Sequence, residues 1–444
     1  MGLSVEIDGA TPGVEDRSTT GRAVPERLPT GYDRLKPGPG HSPEEVRASQ
    51  RIRIHRAMIE LAAERGHERV TIRSLTRRAG VSSRTFYRHF RNREECLGST
   101  IDQVGHELLL RAVKTKAEQA GWHNQLRRSL GSLFGDLADR PKAARVLLVE
   151  SLSAELPTRT RAKELTADLE RLLTRLLAAS LSTATPPRRL VNGIAAGIVR
   201  VATTTTLTGR ADELAGMSVA VGDWVVGVYD EERVALSAVA REGRWRARRE
   251  ALPLPAEMSS TVGYRDRERI LAAVSRLAVE KGVGALSVSR IRREAGVSRR
   301  AFDARFDDAT ECFLAAVESL ARIAVGKACA WAADPRARGD RTYRRTLALC
   351  AIAARNQSFA RLVLAQILAP GRDGLLRRER LISTAAERLA GPGAPASRLS
   401  VVGLEASVAA AWRIAEEGVL ENNCCRLPET ARFISSLFAP GSAL

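Results

Sequence analysis

Residues 51–97 recur at residues 267–313, 216 positions later and without a gap, with 18 of 47 residues identical. The shared positions include Gly66/Gly282, Ala79/Ala295, Gly80/Gly296, Val81/Val297, Ser82/Ser298, Phe86/Phe302 and Phe90/Phe306. Farther on, Ala144-Arg145 matches Ala360-Arg361 in the same register. Chance likeness of two helices does not hold register over about a hundred residues, so a whole subunit is duplicated, not one motif. A chain of 444 residues is in any case too long for one compact core.

Within each repeat the apolar residues have helical spacing. Ile54, Ala57, Met58, Leu61 and Ala62 fall at i, i+3, i+4, i+7 and i+8, and Ile270, Ala273, Val274, Leu277 and Ala278 repeat the pattern. Helix-like segments then follow at 94–118, 124–138, 143–154, 161–181, 188–207 and 219–241. In the second repeat they fall at 310–333, 343–355, 358–368, 376–389, 397–417 and 428–437, with prolines and glycines between them. The fold class read from this is all-α. Val225, Val226, Val228 and Tyr229 would suit a strand, but the segment as a whole fits a buried helix better.

The expected division is a disordered arm over 1–46, a first N-terminal domain over 47–95 and a larger helical domain over 96–247. A linker at 248–262, a divergent second N-terminal domain at 263–311 and a second helical domain at 312–444 complete it. The arm is rich in Pro, Gly, Thr and charge with no apolar period. The basic stretch 241–249 and Leu252-Pro253-Leu254-Pro255 bridge the copies, either as a solvated helix end or as a strap touching phosphate.

Seventy Lys and Arg against 51 acids give a net charge of +19, which favours a polyanionic partner, nucleic acid or an anionic surface. No uncharged apolar run reaches 18 residues, since Arg200 and threonines interrupt 191–207, so no membrane span is expected. The start carries acids rather than a basic-then-apolar leader, so the expected location is cytoplasmic, on the nucleoid. Six cysteines without paired spacing make no disulfide framework, and six histidines show no metal-ligand pattern. With no phosphate loop, nucleophile elbow or set of paired carboxylates, no enzyme, metal or cofactor is expected. His55 and His67 read as surface histidines. Trp122, Phe134, Trp224, Trp331, Phe359 and Trp412 read as core.

The first repeat then spells out a helix-turn-helix. Thr71 caps a short helix backed by Ile72 and Leu75, Gly80 supplies the left-handed turn, and Ser82 caps a second helix from Ser83 to Arg91 with Phe86 and Phe90 inside. The string from Thr71 to Glu95, T-I-R-S-L-T-R-R-A-G-V-S-S-R-T-F-Y-R-H-F-R-N-R-E-E, resembles the DNA-binding region of the TetR family of bacterial regulators. The resemblance implies a tandem pair of TetR-like subunits, each a three-helix DNA-binding head followed by a helical effector and dimerisation domain. It implies that Thr71, Tyr87 and His89 meet phosphates and Arg93 the DNA backbone. Ser82 would cap the recognition helix, and Ser83, Arg84 and Thr85 would read base edges, Arg84 as the guanine reader. It further implies a small apolar effector and repression as the usual output.

The second head keeps Ser287 at the place of Thr71, and Ser298, Arg299 and Arg300 open its recognition helix. It departs elsewhere: Asp303 replaces Tyr87, Arg305 replaces His89, Ala301 replaces Thr85, Ala309 replaces Arg93, and Asp307-Asp308 replace Arg91-Asn92. Residues 47–94 carry 13 Arg and 4 acids (+9), whereas 263–310 carry 11 Lys+Arg and 7 acids (+4). The first head is therefore expected to bind double-stranded DNA more strongly. Three readings stand here: an intramolecular pseudo-dimer of two reading heads, a chain whose second copy is only an interaction module, and a non-specific architectural DNA binder. Within the first, pairing inside one chain and a homodimer of chains both remain open.

Overall fold

The computed structural model describes residues 42–114, 121–154, 156–178, 186–239, 266–333, 341–390 and 400–438. The expected arm (save its last five residues) and the interdomain bridge lie outside them. Every regular element among the described residues is helical.

The first head is α1 (Pro43–Arg65), α2 (Ile72–Ala79) and α3 (Ser83–His89). Helix α1 starts at Pro43, where Ser42 and Glu45 form a capping box: the Glu45 N–H donates to Ser42 Oγ at 3.1 Å and the Ser42 N–H to Glu45 Oε2 at 2.8 Å. The first helical domain runs α4 (Arg93–Lys114), α5 (Trp122–Asp139), α6 (Pro141–Arg145), α7 (Ser151–Ser153), α8 (Leu156–Ala178), α9 (Arg188–Leu207) and α10 (Leu214–Val239). The segment expected as one helix over 143–154 widens into a π-helical turn at Val146–Glu150 between α6 and α7.

The second head repeats the plan as α11 (Asp266–Lys281), α12 (Val288–Ala295) and α13 (Arg299–Asp303). Its helical domain follows as α14 (Ala309–Ala332), α15 (Arg341–Arg355), α16 (Gln357–Ala360), α17 (Arg372–Ala390), α18 (Val401–Leu420) and α19 (Ala431–Ser436). The π turn recurs too, at Arg361–Gln366. Val225 to Tyr229 lie within helix α10.

Each head is held by a small apolar core. Ile54, Ala57, Met58, Leu61, Leu75, Phe86 and Phe90 form the first, which also takes in Val146 from the π turn. Ile270, Ala273, Val274, Leu277, Ile291, Phe302 and Phe306 form the second, with Leu362 and Val363 from the equivalent turn. The π turns are thus the floor on which both heads sit. Phe134 and Trp224 are buried in the main core, while Trp122, Phe359 and Trp412 are partly buried against core clusters and Trp331 is half-buried.

One continuous core spans both helical domains: Leu190, Ile194, Ile198 and Trp224 share it with Ala406, Ala410, Ile414 and Leu437. Its centre is α9 packed on α18. Close approach is sterically set, since a Cβ on Gly197 would come within 3.0 Å of Ala406 O, and one on Gly193 within 3.4 Å of Ala410 Cβ. Helix α9 is long and apolar enough to cross a membrane by length and composition, yet most of it is buried in this packing. Polar bonds pin the contact. Trp224 Nε1–H donates to Ser407 Oγ at 2.9 Å, and Asn192 Nδ2–H to Glu417 Oε1 at 2.7 Å. Arg200 lies 2.5 Å from Glu379 of α17 with both side chains buried, and Thr204 Oγ1 donates to the same carboxylate at 3.0 Å.

Candidate nucleic-acid interface

The presenting helix is built from two local devices. Thr71 Oγ1 accepts from the Ser74 N–H at 3.1 Å while Ser74 Oγ accepts from the Thr71 N–H at 3.0 Å, closing the start of α2. Gly80 ends it in the left-handed conformation, φ 62° and ψ 40°, and Ser82 Oγ then accepts the Thr85 N–H at 3.0 Å to start α3. Phe86 and Phe90, with ring centroids 5.8 Å apart, anchor the buried side of α3. The other side faces outward: Ser82, Ser83, Arg84, Tyr87 and Arg88 are exposed, with Tyr87 at 57%, and Thr85 and His89 half-buried. The helix ends at His89, not Arg91, because Phe90 turns to extended backbone.

Arg88, one helical turn after Arg84, joins that face; only the i, i+4 spacing in the sequence points to it. Arg93 is turned inward in this structure. Its Nη1–H donates to Glu68 O at 2.9 Å and Val70 O at 3.3 Å, and Nη2 pairs with Glu94 at 2.7 Å, tying α4 to the turn before α2.

Both flanking histidines overturn their reading as surface residues. His55 is buried, its Nδ1 2.8 Å from Thr100 Oγ1 and its ring edge-on to Phe90 at 5.4 Å. His67 is buried against Glu150 of the π turn, which accepts from its backbone N–H at 2.9 Å and its Nδ1–H at 2.8 Å. The reason is tertiary: 83 residues separate the partners, so nothing near His67 announces Glu150. Burial acts to raise the Glu150 carboxyl, but the two His67 bonds and the charge of Arg145 outweigh it and hold the carboxyl below its ordinary value. Arg372 of the second copy approaches the same carboxylate at 4.0 Å.

The second head has the same frame with its surface turned on itself. Ser287 Oγ accepts from Arg290 N–H at 3.4 Å, Gly296 takes φ 62°, and Ser298 Oγ accepts the Ala301 N–H at 3.1 Å. Arg299, however, donates to Asp303 at 3.0 Å, and Arg305 donates to Ala301 O at 2.7 Å and faces Asp266 at 3.6 Å. Arg300 is exposed. Asp308 caps α14, where its Oδ1 accepts the Glu311 N–H at 2.8 Å, as Asn92 Oδ1 accepts the Glu95 N–H at 2.8 Å in the first copy.

Among the described residues no group of three His, Cys, Asp or Glu could hold a metal ion.

The family model described as bacterial regulatory proteins, tetR family, matches residues 54–100 and again 270–316. Among solved structures, the transcriptional regulator FadR from Bacillus subtilis, in complex with stearoyl-CoA, is 23% identical, covering 39% of this chain and 97% of its own at a TM-score of 0.36. The fatty acid degradation regulator FadR from Bacillus halodurans is 20% identical, covering 44% and 97% at 0.38. A TetR-like transcriptional regulator from Rhodococcus sp. is 18% identical, covering 46% and 100% at 0.32. With both matched segments falling on the two capped helix-turn-helix frames, the chain is a tetR-family DNA-binding regulatory protein carrying two tandem TetR-type segments.

Proposed function

We propose that this chain is a sequence-specific transcriptional regulator, a repressor released by a small-molecule effector, whose two heads form a pseudo-dimer within one chain. The observation that carries it is the packing of equivalent helices, α9 on α18, around a continuous core. Homodimeric helix-turn-helix proteins space their recognition helices about one DNA turn, roughly 34–36 Å, apart; here the pairing partner is already tethered.

Charge favours this pairing over two first copies meeting. Arg161–Asp102 and Arg377–Glu318 are ion pairs at equivalent positions, so α8 and α17 correspond at the 216-residue offset. At that offset Lys163 stands where Glu379 stands. Two first copies would set Lys163 against the buried Arg200, a like-charge contact without compensation.

In this reading Ser83, Arg84 and Thr85 read bases, with Thr71, Tyr87, Arg88 and His89 on phosphates and Ser82 as cap. Arg93 holds the head together and meets the backbone only if released from Glu68 and Val70. A second reading, that the second head contributes little to DNA, is favoured by the Arg299–Asp303 and Arg305–Asp266 pairs. There Ser287, Ser298, Arg299, Arg300 and Arg305 are frame rather than readers.

Sedimentation equilibrium with and without operator DNA is the test. A single-chain mass and a footprint with two unlike half-sites are expected. A stable dimer of chains with a strictly two-fold footprint defeats the pseudo-dimer.

A further inference from the structure

Beside α6 the first copy has a cleft whose polar side chains the second copy has replaced or paired internally. The cleft, about 220 Å³, lies between the end of α1 at Glu64, helix α6 at Lys142 and Arg145, and the end of α9 at Thr206 with Gly209 just beyond it. Its polar lining is unfinished. Thr206 is 4% exposed and its hydroxyl has no hydrogen-bond partner; Arg145 Nε is likewise buried without one, 3.8 Å from Glu150. Lys142 stands at the rim, 3.6 Å from Glu64, which Arg78 also holds at 3.2 Å. Buried polar groups are as a rule hydrogen-bonded, and unpaired ones at a cleft mark a missing partner.

The second copy treats each of these positions differently. From α9 and α18 onward the copies align at an offset of 213, with Arg200/Arg413, Leu207/Leu420 and Leu214/Leu427 in register. Gly209 and Asn422, the latter the one non-glycine with positive φ among the described residues, take the same left-handed turn. There Val419 replaces Thr206, Ser358 replaces Lys142, and Asn422 Oδ1 accepts from Nη2 of Arg361, the equivalent of Arg145, at 2.8 Å. One copy satisfies its arginine internally and drops the hydroxyl and the amine; the other keeps all three.

The geometry points to a binding site for a small oxyanion, the phosphate or carboxylate group of a small molecule, on Lys142, Arg145 and the Thr206 hydroxyl of the first copy. An oxyanion accepts from hydroxyl, guanidinium and ammonium donors alike, and all three side chains line this cleft. Drawing Lys142 from Glu64 leaves that carboxylate still paired with Arg78. Because the walls belong to the head (α1) and to its helical domain (α6, α9), an occupied cleft fixes the first head against its domain. The site is thus placed to regulate DNA binding.

Titration calorimetry of the full chain, without DNA and at constant ionic strength balanced with chloride, tests the site. Inorganic phosphate and acetate are the two probes. One saturable site is expected, phosphate-selective if the ligand group is a phosphate and acetate-binding if it is a carboxylate. Lys142→Ser and Thr206→Val, the second copy's residues, should each weaken it at least tenfold, with Arg361→Gln leaving it unchanged. No saturable heat with either anion, or full affinity in Lys142→Ser, overturns the proposal. Should Thr206→Val not fold, the exposed Lys142 carries the decision. DNA is absent from the cell, so failure here leaves the DNA-binding reading standing.

Discussion

The two heads share a frame and differ in what they do with its outside. Both close α2 or α12 on a hydroxyl cap, turn through a glycine at φ 62°, cap the next helix with serine and bury two phenylalanines. The first then leaves Arg84, Tyr87 and Arg88 outward and latches to its helical domain through His67 and Glu150. The second folds Arg299 and Arg305 onto Asp303 and Asp266, and has Val283 and Gln366 where the latch would be. Gln366 Oε1 is buried with no partner. Packing conserves a frame because every methylene of a close-packed core is felt; a solvated face and an electrostatic latch are free to diverge.

The largest break in that comparison should come from the latch. Glu150→Ala is expected to cost about 3 kcal/mol, because it removes the acceptor of both His67 bonds and leaves those buried donors unpaired. Gln366→Ala should be close to neutral, since it removes an unsatisfied acceptor. Urea unfolding measures the cost. Hydrogen exchange of α1–α3 against α11–α13 shows whether only the first head loosens; equal loosening of both would break the asymmetry. A pH series sharpens it. The Glu150 carboxyl sits below its ordinary value of 4.5 in the folded chain, so its contribution is present above about 4.5 and is lost as pH falls through the folded value. The gap between the parent chain and Glu150→Gln should therefore close on acidification, and a gap that widens contradicts the assignment.

Next in size is the reading face. Arg84→Ala should weaken operator binding by about 1–3 kcal/mol, roughly 5- to 150-fold. The same change at Arg300, on the less positive head, should cost little. Gel-shift titrations at one fixed salt concentration measure both, and equal losses would make the heads functional equals. Asp303→Ala frees Arg299 and should steepen the salt dependence of binding by about 0.9 in log–log slope, one phosphate's worth. An unchanged slope means that Arg299 never reaches DNA.

Most of the frame was legible because it is written in local patterns. Helical spacing located α1 and α11, and Thr71, Gly80 and Ser82 announced the turn. The Ser42–Glu45 box that starts α1 was also readable, as S-x-x-E before an apolar run. The latch was not. His67 and Glu150 meet only because a π turn brings Glu150 under the head, and no spacing rule links residues 83 apart. The inward turn of Arg93 was hidden for a similar reason: its acceptors are backbone carbonyls, Glu68 O and Val70 O, which every residue offers. Nor does the sequence alone say that Gly193 and Gly197 face Ala410 and Ala406, since small residues at that spacing suit any close helix pair.

The smallest effects should be the ones in which the heads agree. Ser82→Ala and Ser298→Ala each remove one side-chain acceptor from an exposed helix start, and each should cost about 1 kcal/mol in thermal or urea unfolding. Asn92→Ala and Asp308→Ala form a second matched pair, because both side chains accept the same N–H at 2.8 Å. The carboxylate of Asp308 adds attraction to the helix N-terminus, so the second loss should be the larger by roughly 0.3–1 kcal/mol. If that order holds, the acids of the second head divide by role, Asp308 into helix capping and Asp303 into holding Arg299. If Asp308→Ala instead costs nothing while restoring DNA affinity, the aspartate is there to repel DNA rather than to cap α14.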